Sequence, residues 1–284
     1  MTTTAAERAS YASIALLVAE EAAELVMGGY RSRPSADEKG RHDLVTRFDR
    51  ASEELILARL GSLAPGIPII AEEGSEDGGH ARRDGLAFYV DPLDGTTNFV
   101  HGHPFFSVAV GLMEDEQPVA GAVVAPAIGV RWIGAVDPKR EGARQTRSSS
   151  RAVRNGAPCS VSVTGDLDHA LLATGFPPNR DDPPNDNLGS FVAMKRAAQG
   201  VRRCGSAAID LCLVADGTYD AYWERRLHAW DTVAASAIAL AAGAQITSLD
   251  GGPADYHVGN LIASNGLLHE AIVAILAGPL PAPR

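Results

Sequence analysis

Cysteines and long apolar runs are scarce in this sequence. Its 284 residues include three cysteines, Cys159, Cys204 and Cys212, an odd number without the spacing of a metal site. We expect them to pack as small apolar side chains in a reducing cytoplasm. No apolar run is long enough to span a membrane, and no segment near the N-terminus has the apolar core of a signal peptide. The sequence therefore indicates a cytoplasmic protein without a membrane partner.

Positive charge is also in short supply. The chain has 25 Lys and Arg residues against 35 Asp and Glu residues, which gives a formal net charge of −10. This balance argues against nucleic acid as the main partner. It leaves room for a small phosphorylated substrate, because bound divalent cations invert the local field. The chain is long enough for one large domain or two closely packed ones.

What the sequence does contain is an acidic motif at the end of an apolar run. Residues 91–98 read DPLDGTTN and follow the apolar residues 86–90. Pro92 ends the strand, so the two aspartates of the motif should lie at a rigid turn. Gly95 allows a ligand to approach the backbone closely. The segment after it suits the first turn of a helix, and the N-terminus of a helix favours binding of a phosphate. Two carboxylates beside such a turn favour Mg²⁺, and an ordinary Asx turn is the alternative interpretation.

Three further acidic segments lie at the ends of predicted strands or the starts of predicted helices. Glu72 and Glu73 follow an apolar run, and Asp231 opens an alanine-rich helical stretch. Asp49 stands three residues after Thr46, which resembles a capping box. Each segment alone also fits a helix cap or a solvated loop.

Together the four segments resemble, in the same order along the chain, the motifs of the inositol monophosphatase family. The family carries VTxxD, GEE, DP(I/L)DGT(T/S)N and WD(x)AA motifs. This chain has VTRFD at 45–49, AEE at 71–73, DPLDGTTN at 91–98 and WDTVAA at 230–235. The only departure is Ala71 in place of glycine, which touches no ligand position. The resemblance covers roughly residues 10 to 275 and is specific for the superfamily, but much less so for the substrate.

Periodicity and turn residues predict alternating helices and strands, as in layered α/β proteins. The predicted helices are 5–27, 46–60, 188–199, 206–215, 231–242 and 267–277. The predicted strands are 67–70, 86–90, 105–113, 118–125, 129–136, 170–175, 219–223, 245–249 and 260–264. We expect polar loops at 74–85 and 177–187, and a disordered Pro-rich tail.

The resemblance implies an α/β (α+β) fold, a five-layered αβαβα sandwich of the sugar-phosphatase type. Residues 1–150 would form an N-terminal α+β half that carries most metal ligands. Residues 151–284 would form a C-terminal α/β half that carries Asp231 and the wall facing the substrate's alcohol. The stretch 137–158, rich in Arg, Ser, Gly and Pro, is the candidate boundary.

The resemblance also implies a phosphoric monoester hydrolase that binds two or three Mg²⁺ ions and is inhibited by lithium. The implied metal ligands are the carboxylates of Glu72, Asp91, Asp94 and Asp231 and the backbone carbonyl of Leu93. The implied catalytic residues are Asp49, Thr96 and Glu72. Thr96 would orient a metal-activated water, Asp49 would orient Thr96, and Glu72 would support the third ion.

The resemblance is less specific for the substrate than for the metal ligands. By the resemblance, the Gly95 and Thr96 amides bind the phosphate, while Ala207, Glu224 and Asp231 face the alcohol. Inositol 1-phosphate is the expected substrate. Histidinol phosphate, sugar bisphosphates and nucleotides or NADP are the alternatives within the superfamily. The arginine pairs at 202–203 and 225–226 fit a second phosphate or ordinary surface charge.

Two functions outside this class can be weighed against the same residues. A non-catalytic interaction protein would usually have lost a metal ligand, and here all four acidic ligands are present. A periplasmic binding module is disfavoured by the missing signal peptide and by an acidic site that repels free phosphate.

Two histidines, one lysine and the apolar segments of the chain give three further expectations. His101 and His103 stand two residues apart without a third ligand nearby, so we interpret them as loop polar groups. Lys39 precedes the VTRFD segment, as a family lysine often does, and whether it reaches the site stays open. Family members commonly dimerise, and the apolar segments around 105–135 offer surface to cover, so we expect a homodimer.

Overall fold

A computed structural model describes residues 2–40, 43–74, 84–136, 151–177 and 186–278 of the chain. Most of the expected loops at 74–85 and 177–187, of the 137–158 stretch and of the Pro-rich tail lie outside these residues. The described part contains helices, strands and two short 3₁₀ turns at Pro126–Ile128 and Leu167–His169.

The elements are numbered along the chain. The helices are α1 Ala5–Met27, α2 Arg47–Leu63, α3 Thr96–His101, α4 Leu188–Ala197, α5 Ala207–Ala215, α6 Ala229–Ala241 and α7 His269–Ala277. The strands are β1 Ala36–Gly40, β2 Asp43–Thr46, β3 Ile69–Ala71, β4 Leu86–Asp94, β5 Ser107–Glu114, β6 Gln117–Ala125, β7 Val130–Ala135, β8 Ala152–Arg154, β9 Ala157–Cys159, β10 Leu171–Thr174, β11 Gly200–Arg202, β12 Ala221–Glu224, β13 Gln245–Ser248 and β14 Leu261–Ser264.

Every predicted helix and strand has a counterpart within a few residues of its expected position. Five short strands, β1, β2, β8, β9 and β11, have no counterpart among the predicted ones. Strand β1 is almost entirely exposed, and β8, β9 and β11 have three residues each. Segments this short or this polar show no alternation that would reveal a strand.

Two sheets organise the chain. The larger sheet has the strand order β3-β4-β5-β6-β7-β8-β9, and the smaller has the order β11-β10-β12-β14-β13. Strands β1 and β2 form a separate antiparallel pair. Because β8 pairs with β7 and β9 pairs with β8, the larger sheet continues to Cys159. The division into halves at residue 150 stays a prediction, and strand pairing assigns residues 152–159 to the larger sheet.

The sheets and helices stack in five layers. One apolar cluster joins α1 and α2 to the larger sheet, with Val18, Ile56 and Val110 fully buried. A second cluster joins the larger sheet, α5, α6 and the smaller sheet. A third joins the smaller sheet to α4 and α7. The order is therefore helix, sheet, helix, sheet, helix, which confirms the predicted αβαβα sandwich.

The middle helix layer lies very close to the larger sheet. Gly111, Gly121 and Gly134 are paired across β5, β6 and β7 and form a stripe under α6. A Cβ atom on Gly121 would stand 2.3 Å from the carbonyl oxygen of Ala234. Only glycine permits this approach, and it brings the N-terminus of α6 to the end of β4.

Two helix starts follow the local sequence. Thr46 and Asp49 form a capping box on α2, as the sequence indicated, and Thr4 and Glu7 form another on α1. None of the helices in the described ranges is both long and apolar enough to cross a membrane.

Candidate active site

A cavity of about 440 Å³ opens between β1 and β2, the ends of β3 and β4, α3, α6 and the segment before α5. Most of the residues singled out in the sequence line it. The described lining residues include Glu72, Asp91, Leu93, Asp94, Gly95, Thr96, Asn98, His101, Phe176, Arg203 and Asp231. We call it the acidic cavity.

The end of β4 supplies two of its carboxylates. The pairing of β4 with β5 is irregular between Asp91 and Asp94, where Pro92 has no amide proton to give to the neighbouring strand. The Leu93 amide donates to Asp91 Oδ1 at 3.0 Å. Gly95 follows with a φ of 88°, and a Cβ there would lie 3.0 Å from the carbonyl oxygen of Phe105. The expectation that Pro92 ends the strand was wrong, because β4 continues to Asp94 with an irregularity between the two aspartates, and the chain turns at Gly95.

Asp94 also connects this turn to α5. Its Oδ2 accepts from the Ser107 hydroxyl at 3.2 Å, from the Ala208 amide at 3.0 Å and from the Ser206 hydroxyl. Neither serine is among the predicted site residues. Ser206 carried a signal, because a serine after Gly205 and before an apolar stretch is a typical helix N-cap. Ser107 lies inside a strand, where no local sequence pattern predicts its contact with Asp94.

Thr96 and Asp49 are joined by a direct hydrogen bond. Thr96 Oγ1 lies 2.8 Å from Asp49 Oδ1 and 3.0 Å from the Leu93 carbonyl oxygen. The other carboxylate oxygen of Asp49 accepts from the hydroxyl and the amide of Thr46 at 2.6 and 2.8 Å. Asp49 is therefore fixed from both sides, although burial raises its pKa.

Lys39 reaches the cavity's rim from β1. Its Nζ lies 2.8 Å from Glu72 Oε1 and 2.6 Å from Glu73 Oε1. The Glu73 amide in turn donates to Glu53 Oε2 at 2.8 Å. Burial raises the pKa of Glu72 to about 7, even though Lys39 opposes the shift. The sequence could have identified Glu53, because it follows Asp49 by four residues and therefore lies on the same face of α2.

Asp231 enters the cavity from α6. It is the third residue of that helix, and the His228 amide donates to its Oδ2 at 2.7 Å. The expectation that the helix begins at Asp231 was wrong, because this reciprocal cap lets the helix start at Ala229. Burial and the negative charge of Glu72 together raise the pKa of Asp231.

The donor set fits a divalent cation. Burial raises the pKa of Asp91 well above its usual range, and the neighbouring carboxylates add to the shift. A cation relieves this repulsion, and oxygen-only donors suit Mg²⁺. Among the described residues, no group of three His, Cys, Asp or Glu side chains is arranged to hold an ion as it stands. The site carboxylates instead accept from Lys39, from Ser206 and from backbone amides.

Glu224 and Ala207 do not appear among the described lining residues of the acidic cavity. Glu224 is buried, and its carboxylate accepts from the Tyr222 hydroxyl. A Cβ on Gly175 would lie 2.1 Å from Glu224 Oε2, so the carboxylate packs directly against that backbone. Burial raises the pKa of Glu224 to about 7. Contact of these two residues with a substrate stays a prediction.

Asn98 and Phe176 line the cavity without having been singled out as site residues. Asn98 Nδ2 donates to the carbonyl oxygens of Phe105 at 2.6 Å and Cys204 at 2.9 Å, so it ties α3 to the segment before α5. Asn98 ends the acidic motif, and its bridging position depends on tertiary packing. Phe176 follows β10, with no local pattern that marks it as a cavity wall.

Comparison with known proteins gives a consistent result. A model of the inositol monophosphatase family matches residues 7–278. An "Inositol-1-monophosphatase" of Synechocystis sp. is 38% identical over 241 residues, which cover 84% of this chain and 79% of that protein. A "Nus factor SuhB" of Pseudomonas aeruginosa is 33% identical, over 95% of this chain and 96% of that protein. A solved inositol monophosphatase of Anabaena (Nostoc) sp. superimposes with a TM-score of 0.79 at 32% identity, covering 96% of both chains.

Proposed function

Since this chain belongs to the inositol monophosphatase family and is a phosphoric monoester hydrolase, we propose that it hydrolyses a small polyol phosphate, with inositol 1-phosphate as its substrate. The observation that carries the proposal is the acidic cavity, in which the carboxylates of Glu72, Asp91, Asp94 and Asp231 stand beside a turn and a helix start suited to a phosphate.

We assign the metal ligands to the carboxylates of Glu72, Asp91, Asp94 and Asp231 and to the Leu93 carbonyl. Two or three Mg²⁺ ions would bind there, and when bound they activate water and neutralise the charge of the phosphate and the leaving oxygen. The mutual repulsion of the carboxylates and their oxygen-only chemistry support this assignment.

The chain's own residues orient the attacking water and the phosphate. Because the Thr96 hydroxyl donates a hydrogen bond to Asp49, its lone pairs remain available to accept a hydrogen bond from the attacking water. Burial and three donors hold the Asp49 carboxylate in place, so the Thr96 hydroxyl has a fixed direction. The amides of Gly95 and Thr96 stand at the start of α3, where no helical partner satisfies them, and would bind phosphate oxygens.

We further propose that Glu224, Ala207 and Asp231 contact the alcohol. A carboxylate accepts hydrogen bonds from polyol hydroxyls, which favours inositol 1-phosphate. Histidinol phosphate, sugar bisphosphates and nucleotide esters are the competing substrates of the same chemistry. A purely non-catalytic role is disfavoured, because all the acidic residues of the predicted site are retained. Lithium inhibition and a homodimer are part of the same proposal.

The test is a panel of phosphate esters assayed with Mg²⁺, using wild type, Asp91→Asn and a control variant. Asp91→Asn should reduce kcat/KM at least about a thousandfold, because it would remove a charged carboxylate from the residues proposed to hold the Mg²⁺ ions. The control is Asp168→Asn, which makes the same change at an exposed aspartate far from the cavity and should leave turnover unchanged. Circular dichroism should show that both variants stay folded. Turnover in EDTA, or full activity of Asp91→Asn, would refute the metal assignment.

A further inference from the structure

Ser52 is a fully buried residue of α2, three residues after Asp49 and on the same face of the helix. A serine inside a helix usually points into solvent or bonds to a carbonyl of its own helix one turn back. The Ser52 hydroxyl instead crosses to the end of β4 and donates to the Pro92 carbonyl oxygen at 2.8 Å. The helix is a firm support for this bond, because Ile56 and Leu60, one and two turns further along, are fully buried.

The Pro92 carbonyl lies where the larger sheet is irregular. Between Asp91 and Asp94, β4 takes three steps while the paired strand β5 takes two. A bulge of this kind disrupts the ladder of backbone hydrogen bonds between two strands. Ser52 therefore supplies, from a helix, a donor for a carbonyl group that the sheet does not hold in register.

The same peptide group makes a hydrogen bond to Asp91. The Pro92 carbonyl and the Leu93 amide belong to one planar peptide unit, so they turn together. At one end of this unit Ser52 donates to the carbonyl oxygen, and at the other end the Leu93 amide donates to Asp91 Oδ1 at 3.0 Å. The direction of the Asp91 carboxylate is therefore linked to α2 through a single rigid plane.

The charges around Asp91 do not hold its carboxylate in place. Asp91 is 2% exposed, and the carboxylates of Glu72, Asp94 and Asp231 in the same cavity repel it. The donor described for its side chain is the Leu93 amide. Its orientation before a cation binds therefore depends on how firmly the Pro92–Leu93 peptide is fixed.

We propose that Ser52 is a positioning residue for the cation site, whose hydroxyl fixes the Pro92–Leu93 peptide and thereby directs the Asp91 carboxylate toward the bound ions. The inference rests on the proposed function, because it takes Asp91 as a ligand of Mg²⁺. Removal of the hydroxyl would leave the Pro92 carbonyl without this donor, and the peptide would gain freedom to turn.

The experiment measures binding of Mn²⁺, which takes the same oxygen ligands as Mg²⁺ and whose free form gives an electron paramagnetic resonance signal. Ser52→Ala should bind Mn²⁺ about tenfold more weakly than wild type. Loss of a partner that orients a metal ligand typically weakens metal affinity by roughly ten- to a hundredfold. Because no substrate is present, the affinity is measured without turnover.

The matched control is Ser264→Ala. Ser264 is also fully buried, and its hydroxyl lies 2.8 Å from His269 Nδ1, but it belongs to β14 and does not appear among the described lining residues of the acidic cavity. Both substitutions remove a buried hydrogen bond and should lower the melting temperature without cations. Only Ser52→Ala should lose affinity for Mn²⁺. Ser52→Cys offers only a weak donor and should show the same loss, so it replaces Ser52→Ala if that variant does not fold.

Two results would overturn the proposal. One is an equal affinity of wild type and Ser52→Ala for Mn²⁺, and the other is an equal loss of affinity in Ser52→Ala and Ser264→Ala, which would indicate a general loss of stability. If wild type binds no Mn²⁺, the metal assignment of the proposed function fails and this inference fails with it. If wild type binds Mn²⁺ and Ser52→Ala binds it equally well, only the positioning role of Ser52 fails.

Discussion

Glu224 lies behind the wall of the acidic cavity, with its carboxylate on the Tyr222 hydroxyl. If the Glu224 carboxylate accepts hydrogen bonds from the hydroxyls of the substrate, Glu224→Gln should lower kcat/KM for the preferred ester. The same substitution should barely affect p-nitrophenyl phosphate, which has no polyol. The expected loss is roughly ten- to a hundredfold, because a hydrogen bond to a charged group contributes about 1.5 to 3 kcal/mol. The control is Glu270→Gln, an exposed glutamate on α7. Equal losses on both esters would show that Glu224 supports the structure and does not read the alcohol.

His269 is a buried imidazole whose hydrogen bonds suit the neutral form. Its Nε2 lies 2.8 Å from Thr247 Oγ1, and its Nδ1 lies 2.8 Å from Ser264 Oγ. The Thr247 hydroxyl donates to the Ser248 carbonyl, so it accepts from Nε2, and Nδ1 accepts from Ser264. Burial lowers the pKa of His269 below its ordinary value.

This shift gives a pH dependence of known sign. A histidine with a lowered folded pKa contributes stability that is complete above about pH 6.5 and is lost as the pH falls through the folded value. We expect the urea midpoint of wild type to fall between pH 7.5 and pH 5.5 by more than that of His269→Gln. The difference between the two proteins is needed, because Glu72 and Glu224, with raised pKa values, act with the opposite sign. Parallel pH profiles for the two proteins would contradict the assignment.

Among the helices and strands, the position of α6 depends directly on its close packing against β6. Gly121→Ala would place a methyl group 2.3 Å from the Ala234 carbonyl oxygen, so α6 or β6 must move. We expect a loss of stability of about 1 to 3 kcal/mol or more and a lower kcat, because α6 carries Asp231. Denaturant titration and a Mg²⁺ activation curve measure the two effects.

A matched control for this helix contact is Gly61→Ala. Gly61 lies in α2 with no atom within 4 Å of an added Cβ, so the same substitution there should be neutral or stabilising by up to about 1 kcal/mol. A Gly121→Ala protein with unchanged stability and activity would show that the close approach of α6 is not needed.

The sequence predicts some features of the fold and the site better than others. Helices such as α1 and strands such as β5 have long apolar patterns, and the sequence predicts them within a few residues. The acidic motifs predict the carboxylates that the cavity brings together, because each stands at a strand end or a helix start. Asn98, Ser107 and Phe176 could not be identified in this way. Their partners lie far away in the chain, and only the packed layers bring them together.

For the molecule as a whole, we expect the acidic cavity to make stability depend on bound cations. With Mg²⁺ at 100 times its dissociation constant, mass action alone adds roughly 2.7 kcal/mol to the free energy of unfolding. A thermal melt should therefore shift upward by roughly 5 to 10 °C. KCl at the same ionic strength should not reproduce the shift, and Asp91→Asn should reduce it. A melting temperature indifferent to saturating Mg²⁺ would contradict the clustering of the carboxylates.

The layered arrangement has a consequence for the order of folding. The acidic ligands proposed for the acidic cavity come from the ends of β3 and β4 and from α6, which lies far along the chain. Early folding intermediates built from local contacts cannot gather these carboxylates, because loop closure over such distances comes late. A Mg²⁺ ion would therefore lack its Asp231 ligand until α6 has docked on its stripe of glycines. Mg²⁺ should act on the finished molecule by slowing its unfolding, and should leave the rate of folding almost unchanged.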